Sequence, residues 1–122
     1  MYQNSLLNFS FEGASGMQKM AALMDGLREN APTEIAGLPV LSVSDYKKQE
    51  TTDTVTGQKT PIDLPVSNVL RYALPDGSAV IVRPSGTEPK IKIYITAVAA
   101  DRAGAQALGE KIADSMRSIL NI

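Results

Sequence analysis

A chain of 122 residues, 43% of them hydrophobic, is long enough to bury one core, and its formal net charge of −1, from 12 basic and 13 acidic residues, leaves no basic stripe for a nucleic-acid backbone. Cysteine and histidine are both absent, which excludes disulfides, thiolate nucleophiles, cysteine- or histidine-ligated metal sites, and Ser-His-Asp or Cys-His triads. No charged leader followed by an apolar run opens the sequence and no apolar stretch is long enough for a bilayer, so the expectation is one domain over 1–122, cytoplasmic, with no nucleic-acid and no membrane partner.

Leu7, Phe9 and Phe11 alternate with Asn8, Ser10 and Glu12, the period of a strand with one buried face. Ser15 with Gln18 three residues on resembles a capping box, and Met17, Met20, Ala21, Met24 and Leu27 then share a helical face. This predicts a helix from Ser15 to Glu29, ended by Asn30 and Pro32, whose methionines pack the core. Between Pro39 and Tyr46, Leu41 and Val43 alternate with serines and predict a short second strand. Residues 47–66 show no sustained period and are expected to form a long irregular loop. Two apolar runs, 69–74 and 79–82, flank Pro75-Asp76-Gly77-Ser78 and predict a β-hairpin. Ile91, Ile93 and Ile95 alternate with Lys90, Lys92, Tyr94 and Thr96, which predicts a strand with one core face and one wet face. Asp101 caps a final helix with Ala105, Leu108, Ile112, Met116, Ile119 and Leu120 inward, weakened by Gly104 and Gly109. The order predicts an α+β fold, a largely antiparallel sheet carrying two helices on one face.

Between the last two strands lies Arg83-Pro84-Ser85-Gly86-Thr87-Glu88-Pro89, a segment too polar for a core. Arg83 offers a planar fork of donors suited to phosphate oxygens, and Ser85 and Thr87 add hydroxyls. Gly86 can take a positive φ and turn successive N–H groups toward one anion, while Pro84 and Pro89 restrict the backbone on either side. Lys90 and Lys92 add positive potential at the edge. Glu88, which repels phosphate, is expected to hold Arg83 or a lysine, or to reach a sugar hydroxyl. The same residue types also build an ordinary tight turn beside a solvated arginine, and the spacing alone does not choose between the two.

The run Arg83-Pro-Ser-Gly-Thr-Glu-Pro-Lys90, after an apolar strand and before Ile-Lys-Ile-Tyr, closely resembles the C-terminal phosphate-binding signature of the α-D-phosphohexomutases. Phe9-Ser-Phe-Glu-Gly13, Asp25-Gly-Leu-Arg28, Pro32-Thr-Glu-Ile-Ala-Gly37, Asp45-Tyr46 and Leu64-Pro-Val-Ser-Asn-Val-Leu70 resemble the bacterial phosphoglucomutase/phosphomannomutase branch in the same order. The resemblance covers essentially the whole chain and implies a fold similar to the TATA-box-binding-protein type. It implies that Arg83, Ser85, Gly86 and Thr87, with Lys90 at the edge, grip the substrate phosphate that is not being transferred.

The family's other signatures, Thr-Ala-Ser-His-Asn-Pro for the phosphoserine, Asp-Gly-Asp-Gly-Asp-Arg for magnesium and Gly-Glu-x-Ser-Gly-His for the sugar, are not found in this sequence. The resemblance therefore implies a fragment with no catalytic residue, no metal ligand and no cofactor of its own. Its parent would be a magnesium-dependent mutase interconverting hexose 1-phosphate and hexose 6-phosphate by intramolecular phosphotransfer. The implied partners are a phosphorylated hexose, glucose or mannose phosphate, and the remaining domains of that enzyme. A stand-alone module that senses a phosphorylated metabolite is the alternative.

Overall fold

The computed structural model describes residues 2–85 and 88–120. Strand β1 (Tyr2–Ser10) leads into helix α1 (Gly16–Glu29), then a two-residue pair, β2 (Glu34–Ile35) and β3 (Leu38–Pro39). Strands β4 (Ser42–Asp45), β5 (Glu50–Asp53), β6 (Lys59–Pro61), β7 (Leu70–Ala73), β8 (Ala79–Pro84) and β9 (Lys90–Val98) follow, and helix α2 (Arg102–Leu120) comes last. All strands but β2 and β3 form one seven-stranded sheet in the order β1-β9-β8-β7-β4-β5-β6, and each neighbouring pair is antiparallel. The α+β architecture expected from the sequence is the one observed.

Alternation decides which face is buried. Leu70 and Tyr72 of β7, Val80 and Val82 of β8, and Ile91, Ile93 and Ile95 of β9 join Met20, Met24 and Leu27 of α1 and Ile112, Met116 and Leu120 of α2 in one contiguous core. Both helices therefore cover the same face. The opposite face stays open and presents Leu6, Ile81, Arg83, Lys92 and Tyr94, tied together by the registers Leu6↔Tyr94, Ile81↔Tyr94 and Arg83↔Lys92. Among the described residues no helix is long and apolar enough to cross a membrane.

Four local expectations need correction. Residues 47–66 are not an irregular loop but contain β5 and β6. Glu50-Thr51-Thr52-Asp53 is half-buried at every position, so this strand carries no apolar alternation to read. Ser15 makes no side-chain cap, because its backbone (φ −95°, ψ 9°) already lies near the helical region and a turn in which the Gly16 N–H donates to the Gly13 carbonyl starts α1. Met17 and Ala21 face solvent, so the buried stripe of α1 narrows to Met20, Met24 and Leu27. Leu41 is exposed, whereas the polar Ser44 and Asp45 are buried, each satisfied by a side-chain partner.

The hairpin between β7 and β8 turns through a short 3-10 segment, Pro75–Gly77, in which Asp76 and Gly77 both have positive φ, 62° and 86°. Asp-Gly suits that pair of conformations because Asp tolerates the left-handed region and Gly has no Cβ to clash. Asp101 does cap α2, its Oδ1 accepting from the Gly104 N–H at 2.7 Å.

Candidate functional site

The polar segment after β8 springs from a rigid base. Arg83 faces Lys92 and Pro84 faces Ile91 across the β8–β9 ladder, and Ile91 is fully buried. The Ser85 N–H then donates to the Lys90 carbonyl at 2.8 Å, and the Lys90 N–H donates to the Glu88 carbonyl at 2.8 Å, which closes the loop neck. The Ser85 hydroxyl accepts from the Glu88 N–H at 3.3 Å. Gly86 and Thr87, expected from the sequence to contact the anion, lie outside the described residues.

A brace from the other end of the chain holds the same loop. The Phe11 N–H donates to the Pro89 carbonyl at 2.8 Å, and buried Gly16 passes so close that a Cβ there would lie 2.5 Å from the Phe11 carbonyl oxygen and 3.0 Å from Pro89 Cβ. Glycine is thus required by the close approach of α1 to the loop.

Arg83, Pro84, Ser85, Lys92 and Tyr94 line a depression of about 270 Å3 on the open face. The structure brings together Arg83 and Ser85 of the expected set. Lys90 stands apart: its Nζ pairs with Glu88 Oε2 at 2.9 Å, and both side chains are more than half exposed. That hydrogen bond and then the charge of Lys90 hold the Glu88 carboxyl below its ordinary value, desolvation opposing them and the charge of Lys92 adding the least. Of the roles expected for Glu88, holding a lysine is the one observed.

Lys92, expected with Lys90 at the edge of the segment, is the lysine that lines this depression. The signal was available in the alternation, since Lys92 falls on the same face as the residue directly opposite it, Arg83. Like charges facing each other across a sheet are unfavourable, and the Glu88 carboxylate, which feels the charge of Lys92, makes its direct ion pair with Lys90. An oxyanion between them would relieve that repulsion.

A second polar centre lies between the end of α1 and the end of β4. Arg28 at the end of α1 reaches Asp45 at the end of β4, Nε lying 3.3 and 3.2 Å from the two carboxylate oxygens, and the side chains are only 9% and 11% exposed. Asp45 also accepts from the N–H groups of Lys47 and Lys48. Burial pushes the Tyr72 phenol well above its ordinary value, Arg28 opposing and Asp45 reinforcing the shift. The sequence contained Arg28 and Asp45 within its resembling motifs, but nothing in their spacing pointed to a pair. Among the described residues no group of three or more acidic side chains gathers in a way that could hold a metal ion.

The family model described as phosphoglucomutase/phosphomannomutase, C-terminal domain, matches residues 6–115. Phosphoglucomutase from Staphylococcus haemolyticus is 41% identical over 95 residues, which cover 78% of this chain and 17% of that protein. Phosphoglucomutase from Staphylococcus aureus is 38% identical over 95 residues with the same coverage of each chain. The chain thus spans about a sixth of the length of these curated relatives. Among solved structures, the open form of the exocytosis-sensitive phosphoprotein pp63/parafusin, a phosphoglucomutase from Paramecium, superposes with a TM-score of 0.53 at 19% identity, over 99% of this chain and 20% of that one. At that identity the likeness speaks for the fold alone. With nine-tenths of its length inside the family match, the chain belongs to the phosphoglucomutase/phosphomannomutase C-terminal domain family.

Proposed function

We propose that this chain is the phosphate-gripping C-terminal domain of a phosphohexomutase that interconverts hexose 1-phosphate and hexose 6-phosphate. The domain holds the substrate phosphate that is not transferred and carries out no chemistry alone. The observation that supports this reading is the meeting of Arg83, Ser85 and Lys92 at one depression, the two cations facing each other across the β8–β9 ladder. Arg83 supplies the directional, charge-assisted contact, and Ser85 a hydroxyl. Lys92 supplies a second charge, and Lys90 stands at the edge, paired with Glu88. Gly86 and Thr87 complete the grip in this reading.

The phosphoryl transfer itself belongs to other parts of the parent enzyme, a cytoplasmic phosphoglucomutase or phosphomannomutase, where magnesium would neutralise charge on the transferring group. Here the contribution is positional. Binding energy from a non-reacting phosphate fixes the sugar against the reactive centre and removes part of the entropic barrier. The short ladder from β8 to β9 and the Phe11–Pro89 brace keep Arg83 and Ser85 in place before the anion arrives, which reduces the ordering cost.

The test is an amide-resolved NMR titration of the 122-residue chain with inorganic phosphate, comparing wild type with Arg83→Ala. Loss of the arginine should weaken binding by roughly 1.5–3 kcal/mol, the range for a hydrogen bond to a charged group. Equal affinities for the two proteins would overturn the assignment.

A further inference from the structure

Arg83 and Tyr94 are diagonal neighbours on the open face, because Arg83 faces Lys92 while Tyr94 faces Ile81. They are also shared by two adjoining depressions. The first is the polar one of about 270 Å3, and the second, of about 570 Å3, is lined by Ser67, Val69, Ile81, Arg83 and Tyr94. Away from Arg83 the second depression is largely apolar. Leu6 faces Tyr94 from β1, and the two side chains are 47% and 37% exposed.

A cationic row thus lies one step from an aromatic and aliphatic row on the same sheet. The two cations reject a basic or wholly apolar occupant, and they call for an anion. The adjoining Tyr94, Ile81 and Val69 gain only if the group attached to that anion covers them with C–H surface. Inorganic phosphate satisfies the first row and leaves the second wet. A phosphate monoester of a pyranose satisfies both, since its ring carries an apolar C–H face a short distance from the phosphate.

Resting on the phosphate reading above, we propose that Tyr94 is a positioning residue whose ring, with Ile81 and Val69, carries the C–H face of a sugar whose phosphate is held by Arg83. The site then selects a hexose phosphate over free phosphate within this domain. Recognition by this wall depends on the ring's apolar face and not on the pattern of its hydroxyls, so it serves glucose and mannose phosphates alike.

The experiment is a set of NMR titrations of the 122-residue chain with glucose 1-phosphate, inorganic phosphate and glucose, using wild type, Tyr94→Ala, Tyr94→Phe and Arg83→Gln. Wild type should bind the ester about 2- to 10-fold more tightly than inorganic phosphate, the range for one aromatic contact. The Tyr94 ring resonances should move with the ester and not with inorganic phosphate. Tyr94→Ala should bring the affinity ratio to roughly one without weakening inorganic phosphate, and Tyr94→Phe should restore the preference. A preference that survives Tyr94→Ala, or a variant that loses both ligands equally, overturns the proposal. If wild type binds phosphate in an Arg83-dependent way but shows no preference for the ester, the role of Tyr94 falls and the phosphate reading stands. If neither ligand binds, or Arg83→Gln changes nothing, both fall together.

Discussion

Two ion pairs in this molecule invert the usual intuition about distance. Lys90 and Glu88 approach to 2.9 Å but are 54% and 56% exposed, whereas Arg28 and Asp45 lie 3.2 Å apart with 9% and 11% exposure. The shorter pair is screened by water and is free to exchange partners. The longer one has surrendered its hydration, so each charge depends on the other. Burial, and not separation, decides which pair stabilises the fold and which remains available for function.

The largest expected effect comes from breaking the buried pair. Asp45→Ala strands the largely buried Arg28 without its partner and removes the acceptor of two backbone N–H groups, and it should cost about 3–5 kcal/mol in urea-induced unfolding. Replacing both partners with apolar side chains, Arg28→Met with Asp45→Leu, should lose less than Asp45→Ala alone. A larger loss in the double variant would mean that the charges stabilise beyond satisfying one another.

The neighbouring Tyr72 sharpens the contrast through pH. Its folded-state pKa is raised, so its contribution to stability is complete below the unfolded value of about 10 and is lost as pH climbs above it. Its hydroxyl has no hydrogen-bond partner among the described residues, so Tyr72→Phe should change stability at neutral pH by under about 1 kcal/mol. The same change should flatten the alkaline limb of stability measured by urea midpoint against pH.

The smallest effect belongs to the exposed pair. Lys90→Met should leave the urea midpoint unmoved at neutral pH while NMR pH titration shows the Glu88 carboxyl rising toward its ordinary range. The sign follows from the depressed carboxyl: whatever the pair contributes is present above the unfolded pKa of about 4.3 and disappears as pH falls through the folded value. Phosphate binding should weaken far less than in Arg83→Ala. An equal loss would return Lys90 to the anion site.

How much of this was legible depends on where apolar contrast existed. β9 and α2 were readable because Ile91, Ile93 and Ile95 alternate with lysines and Ile112 and Met116 recur at helical spacing. β5 and β6 were not, because an outer strand of threonine, aspartate and glutamate, half-buried throughout, has no inside to mark. Asp45 was misleading for a related reason. Burial there follows from an electrostatic partner 17 residues away in sequence, which periodicity cannot register. In the candidate site, the residue types around Arg83 suggested an anion, the family resemblance supplied phosphate, and only the register distinguished Lys92 from Lys90.

The pairing of β1 with β9 carries a consequence for how the protein comes into being. Its register runs from Tyr2↔Val98 to Ser10↔Lys90, so β1 has no partner in the sheet until β9, far along the sequence, has been made. Loop-closure entropy makes such a contact a late event in folding. Until then a nine-residue strand waits with its hydrogen-bonding edges open, able to pair with another nascent copy. The Phe11–Pro89 hydrogen bond forms with that same closure, so the loop after β8 acquires its final support only when the sheet is complete. A chain that stalls before this step would be aggregation-prone and would leave the candidate site unbraced, which ties the order of that site directly to completion of folding.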